Sequence, residues 1–469
     1  MTKSRKKIFV LLPDGVSLRN FAYTSFYQLG VEKGYDVIFW NMTPFKLSEL
    51  GFSEIKIEKP RPHWYSIILK NAQKHIEIRL FTERDNDSIY FEYLFPLSYK
   101  DLKSIFKSSL TKFYAKWYGS ENGLNKLRNR IISTERGGEY YLECKKILEK
   151  ECPEFVFCTS QRSVKAIAPL TAAQDLNIPT STFIFSWDNI PKATMVTTSD
   201  HYFVWSELMK SQLLHYQRYI VPSKVYVSGT PQFEPHFEPN RILTRDEFYK
   251  QFNLDPGVKY ICYSGDDFTT SPKDELYLRD VSQAVRELHQ KGQFVKIIFR
   301  RCPVDFSNRY NEVLKDYKDV LVDISPLWRK IGDGWNTILP TSEDLDLQVN
   351  IIAHTELVIN LASSMVFDYV SHGKPCAYLN YNYLNSEEVP EKGVKLYTYV
   401  HFRTMPSAKA VVWMNSPSEI GSKIEHMLKG IPELVLVASE WFKVINLHPP
   451  QNASSRIWDT IKKLTAPNE

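Results

Sequence analysis

Residues 354–381 read HTELVINLASSMVFDYVSHGKPCAYLNY, and this segment decides the predicted fold. The apolar run 357–360 predicts a short buried strand. Residues 365–372 repeat apolar side chains at helical spacing, and Gly373 ends that helix. The run 376–379 predicts a second buried strand. A strand, a helix and a strand in this order indicate a parallel α/β sheet.

Ser363 and Ser364 lie in the predicted turn between the first strand and the helix. Free N–H groups and hydroxyls at a helix N-terminus form a ready site for an anion. Serine is also a common N-cap, so Ser363 could serve only to begin the helix. The local pattern leaves both interpretations open.

Two further polar groups follow predicted strands of the same half of the chain. Ser264-Gly265 and Asp266 follow the strand 260–264, and Arg300-Arg301 follows the strand 294–299. The carboxyl ends of parallel strands meet at one edge of a sheet, where ligands of open α/β sheets bind. Taken alone, Ser264-Gly265 could be only a turn, and Arg300-Arg301 could be only a solvated basic pair. Together with the serines they predict a ligand that carries phosphate, because the forked arginine side chain suits phosphate.

The N-terminal half predicts a βαβ unit of its own, with a strand at 8–12, a helix from Ser17 to Gly34 and a strand at 35–40. Asp14 directly follows the first strand. It is a candidate general base, but an Asp before a Gly is also common in turns. Arg19 and Asn20 belong to the same predicted edge.

The alternation of strands and helices divides the chain into two doubly wound α/β domains. We expect an N-terminal domain at 1–230 with an irregular and helical insertion at 42–122, and a proline-rich linker at 231–256. A C-terminal domain follows at 257–445. Residues 446–469 form a helix that braces the N-terminal domain.

Composition and missing motifs exclude several classes of function. A net charge of +5 over 469 residues is far below that of a typical nucleic-acid-binding domain. The six cysteines form no CxxC pair and no metal-ligand spacing, which fits reduced thiols in a cytoplasm. No GxGxxG, GxxxxGK[ST], GxSxG or HExxH motif occurs, so dinucleotide oxidoreductases, P-loop NTPases and the common hydrolases are disfavoured. No apolar run approaches the roughly 20 residues of a membrane span.

The segment 90–118 combines aromatic residues with lysines. Its apolar positions from Leu102 to Trp117 are close to helical spacing. This pattern is typical of an amphipathic helix on an anionic lipid surface. The same pattern is also expected of a helix that covers the core and exposes its lysines to solvent.

A family resemblance rests on three motifs of the second half. These are Arg301-Cys302-Pro303 after a strand, the Ser363-Ser364 turn, and Gly373-Lys374-Pro375 at the end of the following helix. The combination resembles GT-B glycosyltransferases of bacterial surface-polysaccharide synthesis, among them sialyl- and polysialyltransferases and the CDP-glycerol glycerophosphotransferases of teichoic acid synthesis. LLPDGVSLRNFAYTSFY and FSWDNIPKATMVTTSDHYFVWSE also look like proteins of capsule and O-antigen clusters. The relatives have His-Pro where this chain has Cys302-Pro303, which counts against a CMP-sugar donor.

The resemblance implies a GT-B fold, with two Rossmann-like domains that face each other across a cleft and C-terminal helices that cross back. It implies a cytoplasmic enzyme, peripheral on the inner membrane if segment 90–118 contacts lipid. The enzyme would move a sugar from a nucleotide-activated donor to a surface glycan, which could be lipid-linked, without a metal or another cofactor. The implied donor-binding residues are Gly265, Asp266, Arg300, Arg301, Glu343, Ser363 and Ser364, with Asp344 as a further ribose or base contact.

On the acceptor side, the resemblance implies Asp14 as the first candidate for the general base that an inverting transfer needs, and Asp188 as the second. The implied acceptor-binding residues are Arg19, Asn20, Trp187, Asn189 and Lys192. Two other functions stay open: a polyol-phosphate transferase of the CDP-glycerol type, and a non-catalytic protein that binds nucleotide sugars.

Overall fold

The computed structural model describes residues 5–332, 337–383 and 390–466. Packing of the backbone divides the chain into two compact units. Unit 1 contains the described residues up to Pro231 together with those of 331–339 and 445–466. Unit 2 contains the described residues of 232–330 and 340–444.

Unit 1 is built on a seven-stranded sheet with the order β3-β2-β1-β4-β5-β6-β7, in which every neighbouring pair is parallel. Its strands are β1 (Lys6–Leu12), β2 (Tyr35–Asn41), β3 (Glu54–Lys56), β4 (Phe155–Cys158), β5 (Thr180–Phe183), β6 (His201–Val204) and β7 (Val225–Val227). Its helices are α1 (Leu18–Phe21), α2 (Ser25–Glu32), α3 (Trp64–Asp85), α4 (Leu102–Trp117), α5 (Glu121–Arg136), α6 (Glu139–Glu151), α7 (Ile167–Asp175) and α8 (Glu207–Tyr216), with α16 (Ala453–Leu464) from the C-terminal segment.

Unit 2 is built on a six-stranded sheet with the order β10-β9-β8-β13-β14-β17, again with parallel neighbours. Its strands are β8 (Lys259–Ser264), β9 (Val295–Arg300), β10 (Leu321–Asp323), β13 (Val358–Asn360), β14 (Cys376–Leu379) and β17 (Val412–Met414). The short strands outside the two large sheets are β11 (Arg329–Lys330), β12 (Ile338–Leu339), β15 (Tyr381–Asn382) and β16 (Glu391–Lys392). The helices are α9 (Arg245–Gln251), α10 (Asp274–Gln290), α11 (Asn311–Asp316), α12 (Ser342–His354), α13 (Met365–Val370), α14 (Ile420–Leu428) and α15 (Pro432–Ile445).

The predicted helix after β1 is broken into α1 and α2. The hydroxyl of Thr24 donates to the carbonyl oxygen of Asn20 at 2.7 Å and accepts from the backbone N–H of Phe26 at 3.3 Å, so Thr24 caps α2. The apolar repeat runs through this break, because both short helices bury the same side. The prediction of one continuous helix was therefore wrong.

The predicted insertion at 42–122 differs from the structure at both ends. Residues 54–56 form β3, which pairs with β2 and so belongs to the sheet. The helical region continues beyond 122 through α5 and α6, up to residue 151. Leu69 of α3 packs with Leu124 and Leu127 of α5 in a separate apolar cluster. This cluster gives the inserted helices a small core of their own.

The segment 231–256, predicted as a linker, is folded into unit 2. It contains α9, and its Phe248 and Leu254 are buried. Three of its four prolines, Pro231, Pro235 and Pro239, occur in short 3-10 turns.

Helix α16 packs on α2 in unit 1. The indole N–H of Trp458 donates to the carbonyl oxygen of Phe26 at 2.7 Å, and its ring stacks on Tyr35 at a centroid distance of 5.1 Å. A Cβ on Gly30 would overlap the Trp458 ring, so only glycine permits this approach. The C-terminal segment therefore supplies part of the core of unit 1.

Candidate functional site

Two of the predicted polar groups meet at the carboxyl edge of the unit 2 sheet. Ser264 and Arg300 are partners in the register of β8 and β9, and the N–H of Gly265 donates to the carbonyl oxygen of Arg300 at 2.9 Å. A Cβ on Gly265 would lie 3.3 Å from the Cα of Arg301. The absence of a side chain at 265 thus lets the two loops approach closely.

The Arg300 side chain is buried in unit 2. Its Nη2 donates to Oδ2 of Asp344 at 2.8 Å, and each side chain is only 4% exposed. Asp344 also accepts from the backbone N–H of Leu327 at 2.8 Å and from the indole N–H of Trp328 at 2.7 Å. Arg300 and Asp344 therefore lie at the predicted edge as structural partners of each other, rather than as surface groups that could meet a donor.

Arg301 is held more loosely. Its Nη1 donates to the carbonyl oxygen of Ser307 at 3.3 Å, and its Nη2 lies 3.7 Å from Oδ2 of the exposed Asp323. The guanidinium lies over the Tyr310 ring, 5.6 Å from its centroid. These contacts are long for charge-assisted hydrogen bonds, so the cation can exchange them for a better acceptor.

A buried acidic group supports the loop after β8. The carboxylate of Asp274 accepts from the Tyr310 hydroxyl at 2.8 Å, and burial raises the pKa of Asp274 to about 6. The pKa of Asp266 is also raised, first by burial and then by the charges of Asp267 and Asp274. Arg309, which the sequence interpretation did not single out, donates to the carbonyl oxygen of Asp266 at 2.6 Å and so fixes this loop.

The turn at 361–364 contains two serines with different roles. The N–H of Ser363 donates to the side-chain oxygen of Asn360 at 2.9 Å, and its hydroxyl accepts from the N–H of Met365 at 3.3 Å. Ala362 has a φ of +58°, which is strained for a residue with a Cβ. Among the described residues, the Ser364 hydroxyl has no hydrogen-bond partner. Ser363 thus caps the turn, while Ser364 can donate to a ligand.

Tyr397 joins this turn to the rest of the edge. Its hydroxyl accepts from the N–H of Ala362 at 3.1 Å and donates to the carbonyl oxygen of Leu379 at 2.8 Å. Burial raises the pKa of Tyr397, and the negative charge of Asp266 adds to that increase, so the loops after β8 and β13 are close neighbours. Tyr397 lies about 30 residues beyond the serines, and no local motif marked it.

A groove with a volume of about 680 Å³ is lined by Asp323, whose carboxylate lies 3.7 Å from the Arg301 guanidinium; Arg301 itself does not line it. Asp323, the partner of Arg301, lines one end of it, and Glu343 of α12 lines its side. Phe248, Phe252 and Leu347 form apolar walls. Small-molecule sites typically occupy 300–1,000 Å³ and combine apolar walls with a few polar groups, and the groove has both properties.

In unit 1, Asp14 follows β1 as predicted and takes part in a turn. Its Oδ1 accepts from the N–H and from the hydroxyl of Ser17, both at 3.3 Å. The charge of Asp14 acts on Lys165, although burial lowers the pKa of that lysine overall. A Cβ on Gly15 would lie 2.6 Å from the carbonyl oxygen of Ile338, so the chain is tightly packed here. Asp14 is half-buried at the carboxyl edge of the sheet.

The second candidate base, Asp188, forms an ion pair with Lys192 and also accepts from the side chain of Asn189 at 2.9 Å. A paired carboxylate is a weaker base than a free one. Trp187 and Asn189 are buried, and the side-chain oxygen of Asn189 accepts from Gln161 at 2.9 Å. These side chains hold the loop after β5 in place, which disfavours the prediction that Trp187 and Asn189 contact an acceptor.

Arg19 and Asn20 lie on the short helix α1. Asn20 is buried, and its carbonyl oxygen accepts from the Thr24 hydroxyl. Arg19 is half-buried. The structure adds one cation that the sequence interpretation missed: Arg162, exposed after β4, with its guanidinium 4.8 Å from the centroid of the Phe185 ring. The polar run that follows the buried strand β4 was the signal for it.

Within the described parts of the chain, no cluster of three or more His, Cys, Asp or Glu side chains could hold a metal ion. The helices in the same ranges are all too short or too polar to cross a bilayer.

No protein-family model matches the chain, and no curated protein matches its sequence. Solved structures do match it. A UDP-GlcNAc 2-epimerase from Neisseria meningitidis bound to UDP-GlcNAc is 14% identical, with 97% of this chain and 100% of that chain covered and a TM-score of 0.56. A glycosyltransferase from Rickettsia africae is 12% identical, with full coverage of both chains and a TM-score of 0.52. The UDP-GlcNAc 2-epimerase from Methanocaldococcus jannaschii is 13% identical, with 97% and 99% covered and a TM-score of 0.51.

At this level of identity the likeness shows the fold alone. Together with the two parallel sheets, it confirms the predicted GT-B fold class of two Rossmann-like domains.

Proposed function

We propose that the protein is a glycosyltransferase that moves a sugar from a nucleotide-activated donor to a bacterial surface glycan. One observation carries the proposal. Arg301, the Ser364 hydroxyl and the bare backbone of Gly265 lie at the same sheet edge of unit 2, and Asp323, 3.7 Å from the Arg301 guanidinium, lines a ligand-sized groove. The similar structures are two UDP-GlcNAc 2-epimerases and a glycosyltransferase, which supports a nucleotide-sugar ligand.

The donor phosphates contact Arg301 and Ser364 in this proposal, and the nucleoside occupies the groove beside Glu343. Arg301 supplies a forked donor, which suits the oxygens of a diphosphate. Arg300 has a supporting role, because its guanidinium is already bound to Asp344. The departing nucleotide is stabilised by these fixed donors, as preorganised cations stabilise charge that develops in a transition state.

Asp14 is the proposed general base, which accepts the proton of the acceptor hydroxyl as that oxygen attacks the sugar. Asp188 is the weaker candidate, since Lys192 already neutralises it. Arg19 and Lys192 are proposed acceptor contacts through their charge.

The acceptor is proposed to be lipid-linked, with the protein peripheral on the cytoplasmic face of the inner membrane. Helix α4 supports this because it buries polar side chains and exposes aromatic ones to solvent. The residues it buries are Ser108 and Thr111, whereas Phe106, Phe113 and Trp117 are 55%, 53% and 72% exposed. An exposed aromatic face beside lysines is typical of a helix at a lipid interface.

Nucleotide binding tests the donor site. UDP, GDP, CDP, CMP and dTDP are each added in a thermal-shift assay, and a nucleotide at 100 times its Kd adds about 2.7 kcal/mol to the free energy of unfolding. We expect Arg301→Ala to weaken that nucleotide about 10- to 100-fold, because a hydrogen bond to a charged group contributes about 1.5–3 kcal/mol. Arg279→Ala, on the exposed side of α10, is the matched control and keeps the full shift. Full retention of the shift by Arg301→Ala would remove Arg301 from the donor site.

Product analysis then tests the reaction. A glycoside in the product supports the proposal. A phosphodiester would instead show a polyol-phosphate transferase, an epimerised nucleotide sugar would show an epimerase, and binding without turnover would show a non-catalytic protein.

Asp14→Asn tests the base. The asparagine oxygen can still accept from Ser17, so we expect the turn to be preserved while kcat falls about 10²- to 10⁴-fold. Asp459→Asn, an exposed aspartate of α16 in the same unit, is the control. Unchanged kcat in Asp14→Asn would refute the assignment.

A further inference from the structure

A cavity of about 370 Å³ lies between α3, α4 and the segment 94–98 of unit 1. We call it the lysine pocket. Lys70 and Lys74 are one helical turn apart on α3, and Lys107 reaches the pocket from α4. His75 also lines it. Three lysines therefore converge on one concave surface that belongs to neither of the sheet edges.

The positive charge of the lysine pocket is not compensated locally. Among the described residues, no carboxylate lies within ion-pair distance of the Lys70, Lys74 or Lys107 ammonium group. The pKa of Lys74 is lowered to about 8, first by burial and then by the charges of Lys70 and Lys192. Glu77, the carboxylate whose charge acts on Lys74, is itself paired with Arg128. Half-buried like charges without counterions are costly, and an anionic ligand would relieve that cost.

The hydroxyls around the pocket organise its wall. The Ser108 hydroxyl donates to the carbonyl oxygen of Ser98 at 2.7 Å, and the Thr111 hydroxyl donates to that of Lys107 at 2.9 Å. The first of these bonds holds segment 94–98 against α4. With these two hydroxyls occupied, the ammonium groups are the charged donors that face a ligand, and lysine binds phosphate as a point charge.

The rim of the lysine pocket is apolar. Phe95 is 80% exposed at its mouth, with the Lys74 ammonium 5.4 Å from the ring centroid. Leu94, Pro96 and Leu97 of the segment 94–98 also line the pocket. A free phosphate has no apolar part that could contact this rim. A lipid has both a charged headgroup and an apolar chain.

The pocket is also adjacent to the loop after β5. Gln73 of α3 donates to the carbonyl oxygen of Met195 at 2.7 Å, and the charge of Lys192 acts on Lys74. A ligand in the pocket therefore lies beside the loop that carries Asp188.

We propose that the lysine pocket binds the phosphate group of a membrane lipid whose hydrocarbon chain leaves the pocket past Phe95 and the apolar segment 94–98. This inference deepens the proposed function and rests on it for the role of the lipid as acceptor carrier. Binding of the headgroup would bring the linked glycan to the loop after β5.

Vesicle sedimentation of the full chain tests the proposal. Phosphatidylcholine vesicles with 20 mol% phosphatidic acid are compared with vesicles that carry equal charge as phosphatidylglycerol, in 0.5 M NaCl. At that ionic strength the general attraction of exposed lysines is screened within a few ångströms. We expect at least tenfold tighter binding to the phosphatidic acid vesicles.

The decisive comparison uses two double variants with the same change in charge. Lys70→Met/Lys74→Met should lose the preference for phosphatidic acid, whereas Lys100→Met/Lys103→Met, with exposed lysines beside and on α4, should retain it within threefold. Equal losses in both variants would overturn the proposal in favour of general electrostatics. Equally tight binding of inorganic phosphate and of the phosphatidic acid vesicles, compared at the same concentration of phosphate groups, would overturn the lipid as the source of the phosphate.

Controls separate this inference from the donor site. The nucleotide-induced thermal shift of Lys70→Met/Lys74→Met reports whether the variant is folded, and Lys107→Met replaces it if it is not. If nucleotide binding and transfer are present but the preference for phosphatidic acid is absent in the wild type, the lipid site alone fails. If that preference is present without any nucleotide binding, the lipid site stands and the proposed function fails.

Discussion

Replacing Asp344 with alanine should strongly destabilise unit 2, because it would leave the Arg300 guanidinium buried without a counterion. Breaking a buried pair in this way typically costs about 3–5 kcal/mol. The same substitution removes the acceptor of the Leu327 N–H and of the Trp328 indole. With a urea m-value of about 2 kcal/mol/M, the unfolding midpoint should fall by about 1.5–2.5 M.

The assay is urea denaturation followed by tryptophan fluorescence and far-UV circular dichroism. Glu343→Ala is the matched control: it removes the neighbouring carboxylate, which is exposed on the same helix, and should change the free energy of unfolding by no more than about 0.5 kcal/mol. The double variant Arg300→Met/Asp344→Leu should recover part of the loss, since a buried ion pair can often be replaced by apolar side chains.

Two results would refute this reasoning. A loss below about 1 kcal/mol in Asp344→Ala would mean that Arg300 finds water or another partner. A double variant no more stable than Asp344→Ala would mean that the stranded charge of Arg300 is not the cause of the loss.

Two further predictions concern buried ionisable groups of unit 2. Lys374→Met should lower the free energy of unfolding by about 2–4 kcal/mol in urea denaturation, since the ammonium donates to three carbonyl oxygens at the end of α12 at 2.6–2.8 Å; the exposed Lys392→Met should leave it unchanged. The pKa of Asp274 is raised to about 6, so its buried charge destabilises the fold above that pH, and the cost disappears as the pH falls toward the unfolded value near 4. The stability of the wild type relative to Asp274→Asn should therefore rise between pH 7 and pH 5, and a difference independent of pH would contradict the shift.

The two parallel sheets could be predicted from the sequence because their central strands are continuous apolar runs. Strand β4, for example, reads FVFC and is fully buried, and such runs are typical of strands covered on both faces. The insertion was harder, because α3 buries Gln73 and Glu77 on its inner side. Polar residues at core positions weaken the helical pattern on which the prediction depends.

The candidate site could be located from the sequence only as far as its edge of the sheet. Arg300 and Arg301 are adjacent, yet one is buried against Asp344 and the other reaches the exposed Asp323, which lines the groove. Successive residues at the end of a strand point to opposite sides, and which side is interior depends on a helix more than 40 residues away in the chain. Arg309 and Tyr397 act on loops distant in sequence, so no local motif could identify them.

The position of α16 in unit 1 has a consequence for biosynthesis. Trp458 completes the packing around Phe26, which precedes it by 432 residues. At a translation rate of about 5–20 residues per second, the ribosome adds Trp458 roughly 20–90 s after Phe26. Throughout that interval the nascent unit 1 exposes the apolar surface that Trp458 later covers, including Phe26 of α2 and Tyr35 of β2. Unit 1 therefore cannot finish folding in the order in which it is made, and its exposed surface is a natural binding site for chaperones that act on nascent chains.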